Sequence, residues 1–268
     1  MAEKTDLTDN LAYGVDLKNR RIYFGVNIDT VGEEEDPSDF SMASVELAVR
    51  AMHRMATESP GKPIELHMNS FGGLIYPMFR LLDEILACPC QIRFIGGGTV
   101  MSSASWILCA CDERWLHPNT TVMVHDGNDS IEGRHSDVQI EAAESKRLQD
   151  ILYDIYAANS RMPRAFWEEI CQRDCYLTAA EAITLGLADK IIEPKKRGNL
   201  RKMRQAGLKK QPDQGEMERL ISTIYSRTNK VGVPSIQLNA VVKEPVDASL
   251  FVDTSPSEAV SVEEPPKT

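Results

Sequence analysis

Hydrophobic and polar positions along the chain alternate between two periods, and the alternation predicts most of the elements. Arg20-Arg-Ile-Tyr-Phe-Gly-Val-Asn-Ile-Asp29 is β-branched and aromatic and ends in turn residues, which makes it the first strand. From Ser41 to about Thr57, Met42, Val45, Leu47, Val49, Met52 and Met55 recur three and four apart. That is the period of an amphipathic helix, with Ser38 or Ser41 placed to cap it. Pro60-Gly61 breaks this helix, and Pro63 to Asn69 alternates apolar and polar side chains as a strand does. Leu74 to Leu86 reads as a second helix, with Tyr76, Phe79, Leu82 and Leu86 available for one face. A third strand, Gln91 to Ile95, is closed by the glycine run Gly96 to Gly98, and Ala104 to Cys111 is a helix apolar nearly all round. After a turn at Trp115 to Asn119, Thr120 to His125 is strand-like, and Asp126 to Gly133 is a loop of turn formers.

The second half of the pattern is helical. Ser136-Asp-Val-Gln139 has the form of a capping box and opens a helix that runs to Asn159. Its stripe is Val138, Ala142, Leu148, Ile151, Leu152, Ile155 and Tyr156. A helix of this length is too long to lie wholly against one small domain, so it is expected to project and pack against another subunit. Pro163 to Ile170 is a short helix opened by proline, Leu177 to Glu181 starts another that ends near Gly186, and Ala188 to Glu193 is a last strand. Strand, glycine turn and helix recur in order, the signature of parallel β-α-β units in an α/β fold.

Composition divides the chain. Residues 1–17 are polar and without period, a mobile arm, and residues 18–194 carry the periodic pattern of the domain. Residues 195–232 are a basic linker (Lys195, Lys196, Arg197, Arg201, Lys202, Arg204, Lys209 and Lys210) with a short amphipathic piece at Glu216 to Arg227. Residues 233–268, rich in Pro, Ser, Val and Glu, are an acidic low-complexity tail without the apolar density to fold alone. The formal net charge of −10 argues against a general nucleic-acid binder. The six cysteines show no C-x-x-C pair, and Cys109 and Cys111 sit in an apolar helix, so they read as small hydrophobes and not as metal ligands. No secretory pattern opens the sequence and no apolar run approaches a membrane span, which points to the cytoplasm and reduced thiols.

Chemistry enters at Gly98-Thr-Val-Met-Ser102-Ser-Ala-Ser-Trp106. A serine that follows a glycine turn and heads a helix has its hydroxyl exposed for attack, although the same residues also make ordinary caps. Acyl transfer by serine needs a base beside the hydroxyl, a group to orient that base, and donors for the oxyanion. Among His53, His67, His117, His125 and His135, only His125 ends an apolar strand before a polar loop. Many acids are available to orient it, and spacing alone does not choose among them.

Residues from about Arg20 to Pro194 resemble the ClpP family, the proteolytic subunit of the Clp protease, within the crotonase-like superfamily. Met68-Asn-Ser-Phe-Gly-Gly73 is similar to its N-S-P-G-G loop, with Phe71 in place of proline. Ser102-Ser-Ala-Ser-Trp-Ile-Leu108 resembles the nucleophile helix S-M-G-A-F-L-L, and Pro118-Asn119 with Val122-Met-Val-His125 resembles P-N-x-x-x-M-I-H. Asp174 to Ala182, followed by Gly186-Leu-Ala-Asp189, resembles D-x-x-x-S-A-x-E-A with its trailing G-L-I-D. An ungapped match from Gly96 sets Val100 at the nucleophile position, whereas matching the helix sets Ser102 there, with Ser103 as a neighbouring alternative.

The resemblance implies a fold of repeated β-β-α units with a projecting handle helix. It implies Ser102 as nucleophile, His125 as general base and Asp174 as the carboxylate that orients it. The backbone N–H groups of Gly72 and Ser103 would form the oxyanion hole, with no cofactor and no metal. It implies a serine endopeptidase enclosed in homo-oligomeric rings and acting on proteins or peptides. The family's H-Q-P after the base is here His125-Asp-Gly127, the arm does not match the family's axial loop, and the tail has no counterpart in its housekeeping members. Docking to an ATPase unfoldase is therefore open, as are a phage head-maturation protease and an inactive ring or scaffold component. A crotonase-type acyl-CoA enzyme would use the same fold without a triad.

Overall fold

A computed structural model describes residues 14–25, 40–128, 130–193 and 213–227. The start of the arm, the acidic loop over 32–39, the basic segment and the acidic tail lie outside the described residues.

Among the described residues the centre is a mixed sheet of eight strands. β1 (Val15–Asp16) pairs antiparallel with β2 (Arg21–Phe24), so two residues at the end of the arm join the sheet. β3 (Ile64–Ser70), β4 (Ile92–Met101), β5 (Glu113–Leu116) and β8 (Lys190–Ile191) continue it in parallel from β2. Arg20 is not a strand residue. It turns the chain at φ 56°, and its guanidinium donates to the carbonyls of Met55, Lys62 and Pro63, closing the end of the first helix.

β4 is longer than the pattern predicts, and the reason lies in its partners. Its first half pairs with β5 and its last three residues pair with β6 (Thr121–Val124). The change of partner falls on the glycine run. Met68 pairs with Gly96 and Ser70 with Val100, so Gly97, Gly98 and Thr99 all stand opposite Asn69. The glycines therefore make a bulge inside a strand, where the sequence pattern reads a turn that ends one. β7 (Cys175–Thr178) pairs antiparallel with β6 and has no counterpart in the periodic reading. Likewise Glu113–Leu116 is a strand where the pattern reads a turn from Trp115 onward.

Helices α1 (Met42–Glu58), α2 (Ile75–Ala87) and α3 (Ser103–Ala110) follow β2, β3 and β4. Ser41, not Ser38, caps α1, in a capping box with Ser44. The face of α2 differs from expectation: Met78, Leu81, Leu82 and Ile85 are buried, while Tyr76 and Leu86 are exposed. α4 (His135–Ala158) is the long helix. The capping box read at Ser136 does not form; Arg134 is the cap residue and its guanidinium pairs with Asp137 at 2.9 Å. All five buried residues of α4 (Leu148, Leu152, Tyr153, Tyr156 and Ala157) lie in its second half; no residue of the first half is buried, and Glu144 there accepts a hydrogen bond from the Tyr76 hydroxyl of α2 at 3.1 Å.

α5 (Arg164–Ile170) and α6 (Ala179–Leu185) complete the domain, the latter with a capping box between Thr178 and Glu181 and a left-handed Gly186 at its end. α7 (Gln214–Arg227), the amphipathic piece beyond the basic segment, packs back onto them. Its Met217, Ile221, Ile224 and Tyr225 are buried, its Tyr225 hydroxyl donates to Glu169, and its Arg227 pairs with Glu181 at 2.8 Å. Among the described residues no helix is long and apolar enough to cross a membrane.

Candidate active site

Three neighbouring strands end at one place, and each end carries one of the sequence-predicted side chains. Ser102 follows β4 directly and is the residue before α3. Parallel pairing of Met101 with Met123 sets it beside the last residues of β6, where its N–H donates to Met123 O at 3.0 Å. His125 is the first residue past β6, and Asp174 the last before β7. The antiparallel register ends on Val124 opposite Cys175, so His125 and Asp174 occupy the next rung. The sheet itself brings together residues separated by 72 positions in the chain.

The side chains converge in the order Ser, His, Asp. His125 Nε2 lies 2.8 Å from Ser102 Oγ, and His125 Nδ1 lies 3.6 Å from Asp174 Oδ1. The second distance is an ion-pair approach; a movement of less than about 1 Å brings it into hydrogen-bond range. The imidazole is buried, whereas the Asp174 side chain is 55% exposed. Of the rival serine-turn positions, Val100 is fully buried in β4, and the Ser103 hydroxyl turns away to donate to Gly73 O at 2.8 Å. Three of the other four histidines bond elsewhere, His53 with Glu84, His67 with Glu65 and His135 with Gln139, and His117 lies beside Gly97 before β6.

Ser102 has φ 51° and ψ −124°, one of two non-glycine residues with positive φ among the described residues. For a residue with a side chain this region is disfavoured by about 1–2 kcal/mol. The conformation is held from both sides, by the N–H bond to Met123 and by a carbonyl that accepts from the Ser105 N–H at 2.8 Å and the Ser105 hydroxyl at 2.7 Å. A backbone turned in this way puts the side chain at the tip, as a nucleophile requires.

Gly72 lies against the serine. Its φ is 110°, and a Cβ there would stand 2.7 Å from Ser102 Cβ and 3.1 Å from Ser103 N, so only glycine lets the loop approach this closely. Gly72 N–H donates to the buried Ser70 hydroxyl at 3.0 Å. Ser103 N–H is the first of α3 and belongs to the turn that has no acceptor within its own helix. Asn69 ties the loop to β4: its Oδ1 accepts from Thr99 N–H at 3.1 Å, over a Gly98 whose Cβ would collide with that oxygen at 2.4 Å.

Burial is the largest influence on His125 and lowers its pKa below the usual 6.5; the charges of Asp174 and then Asp126 oppose it. Asp126 is a second carboxylate beside the imidazole that the sequence reading passed over as part of an altered loop. Burial raises its pKa, with repulsion from Asp174 as a smaller cause in the same direction. Its signal in the sequence was adjacency to the base, one residue along.

All six cysteines are free, five of them buried, and no group of three or more His, Cys, Asp or Glu side chains among the described residues is arranged to hold a metal ion. The arrangement of Ser102, His125 and Asp174 is that of a Ser-His-Asp catalytic triad.

Comparison with known proteins leads to the same place. Relatives each described as an ATP-dependent Clp protease proteolytic subunit match this chain. That of Porphyromonas gingivalis is 35% identical over 136 residues, which is 50% of this chain and 61% of the relative. That of Deinococcus radiodurans is 27% identical over 179 residues (66% and 82%), and that of Dehalococcoides mccartyi 29% over 183 (68% and 86%). The chain thus spans less than two thirds of the first relative and most of the other two. The family model described as Clp protease matches residues 37–195, more than half of the chain and all three side chains of the triad. With sheet, serine turn and family model in agreement, the chain belongs to the Clp protease family.

Proposed function

We propose that the protein is a serine endopeptidase in which Ser102 is the nucleophile, His125 the general base and Asp174 the orienting acid. The observation that carries this is the 2.8 Å contact between His125 Nε2 and Ser102 Oγ, with a carboxylate on the far ring nitrogen. Neutral His125 takes the hydroxyl proton as Ser102 attacks a peptide carbonyl, then delivers it to the leaving amine. Asp174 stabilises the imidazolium that forms between those steps. Ser103 N–H and Gly72 N–H receive the oxyanion, the latter by turning from Ser70 Oγ or sharing its proton with it. Water then attacks the acyl-enzyme by the same route in reverse, and no cofactor enters.

The substrates in this reading are proteins or peptides, and the working form is a homo-oligomeric ring in the cytoplasm. The exposed first half of α4, with Ile140 68% exposed, supports assembly through that helix. The names of the relatives support an ATP-driven partner. Reaction with a fluorophosphonate probe tests the chemistry: wild-type protein is labelled at Ser102, and Ser102→Ala is not. Equal labelling of the two would end the assignment. Native mass spectrometry of the full chain reads the assembly, and a monomer at working concentration would remove the ring.

A further inference from the structure

Behind the serine turn lies a short line of buried hydroxyls. Ser105, on the first turn of α3, is fully buried, and its hydroxyl donates to Ser102 O at 2.7 Å. Ser105 Oγ also lies 2.6 Å from the hydroxyl of Tyr156, which is fully buried in the second half of α4. A serine hydroxyl has one proton to give. That of Ser105 is committed to Ser102 O, so Tyr156 is the donor in the other bond. Burial pushes the Tyr156 phenol far above its usual range, so it holds that proton at any working pH. The direction is therefore fixed: Tyr156 O–H to Ser105 Oγ, and Ser105 O–H to the carbonyl of Ser102.

The carbonyl at the end of this line belongs to the one residue of the site held at φ 51°. Were Ser102 to relax toward ordinary helical φ, its side chain would swing off the line to His125 Nε2. A donor on Ser105 Oγ polarises the Ser105 O–H and strengthens its bond to that carbonyl. The tyrosine is itself fixed, with its ring between Trp106, centroids 5.6 Å apart, and Trp167, 4.9 Å apart. We propose that Tyr156 is a positioning residue for acylation: acting through Ser105, it holds the left-handed Ser102 backbone that aims the nucleophile at His125. The inference rests on the reading of Ser102 as nucleophile. It makes α4 part of the catalytic support, because the helix with no buried residue in its first half fastens the serine turn with its second.

The test compares full-length wild type, Tyr156→Phe, Ser105→Ala and the double variant. The readouts are fluorophosphonate acylation rate, kcat and KM on a fluorogenic peptide, the pH profile and thermal unfolding. Each single change is expected to slow acylation and kcat by about five- to twenty-fold with KM nearly unchanged. The acid limb of the pH profile stays in place, because nothing beside the imidazole has changed. The double variant is no slower than the slower single, because the two hydroxyls act in series on one carbonyl. A purely structural role predicts a lower melting temperature with an unchanged rate, as expected for the control Tyr225→Phe, which removes the hydroxyl bonded to Glu169. An acylation rate for Tyr156→Phe within about two-fold of wild type, or single losses that multiply in the double, would overturn the proposal. If Tyr156→Phe does not fold, Ser105→Ala decides alone. If wild type is not labelled at Ser102, both readings fall; if it is labelled and the variants match it, only this one does.

Discussion

A general base must be neutral to act, so the titration of His125 sets the lower pH bound of the reaction. Its pKa is lowered by burial, and activity is lost as pH falls through that value, so the acid limb of kcat/KM lies below the ordinary 6.5. Asp126 opposes the shift because its charge favours the imidazolium. Asp126→Asn removes that support, and the limb should move to still lower pH with the plateau rate little changed. A limb that moves up, or stays, would mean that Asp126 does not act on the imidazole. At Gly72 the argument is steric. Gly72→Ala places a methyl group 2.7 Å from Ser102 Cβ at a φ of 110°, and should lower kcat by about a hundred-fold or more while the protein remains folded. Activity near wild type would show that the loop withdraws easily and is no part of the oxyanion site.

Among the elements, α7 carries a prediction of its own. It follows a basic segment and reads as an appendage in the sequence, yet Ile224 is fully buried against the domain. Ile224→Ala should cost about 2–4 kcal/mol, read as a lower urea midpoint with an unchanged slope. A loss below about 0.5 kcal/mol would mean that α7 does not dock in solution. The helices and most strands were legible because their signals are local: the Ser41 and Thr178 caps, the three-and-four spacing of α1, the alternation of β3. What escaped the pattern depends on distant partners. β4 runs through Gly96–Gly98 only because β6 takes it over from β5, and β7 exists only because β6, some fifty residues earlier, supplies its hydrogen bonds. The Ser136 box failed for the opposite reason, a local signal outcompeted by a start two residues earlier, with Arg134 as the cap in place of Ser136. For the site, residue types singled out Ser102 and His125, but only the family resemblance chose Asp174. The physical ground for that choice, one more rung of the β6–β7 ladder, is invisible before the strands are paired. Tyr156 left no sign beyond its place in an apolar stripe.

At the scale of the whole molecule, the sheet acts as the frame and the helices as its anchors. α1 and α2 pack together and α2 also packs on α3, α4 reaches the serine turn through Tyr156, and α7 braces the α5–α6 corner beside β7. The placement of the cysteines within this frame has a practical consequence. Burial raises Cys109 and Cys175 to about 12 and lifts Cys111 and Cys171 well above their ordinary value; with Cys90 also buried, Cys88 alone is partly open. In the native protein a pulse of iodoacetamide should therefore add at most one carbamidomethyl group, and the unfolded chain takes six. Cys171 and Cys175 bracket Asp174, whereas Cys109 and Cys111 sit at the far end of α3. Peptide mapping after a denaturant pulse then dates two openings separately, that of the acid's strand and that of the helix behind the serine. Prompt alkylation of all six thiols without denaturant would contradict the packing. The order in which the two pairs become reactive would reveal whether the triad comes apart before the core does.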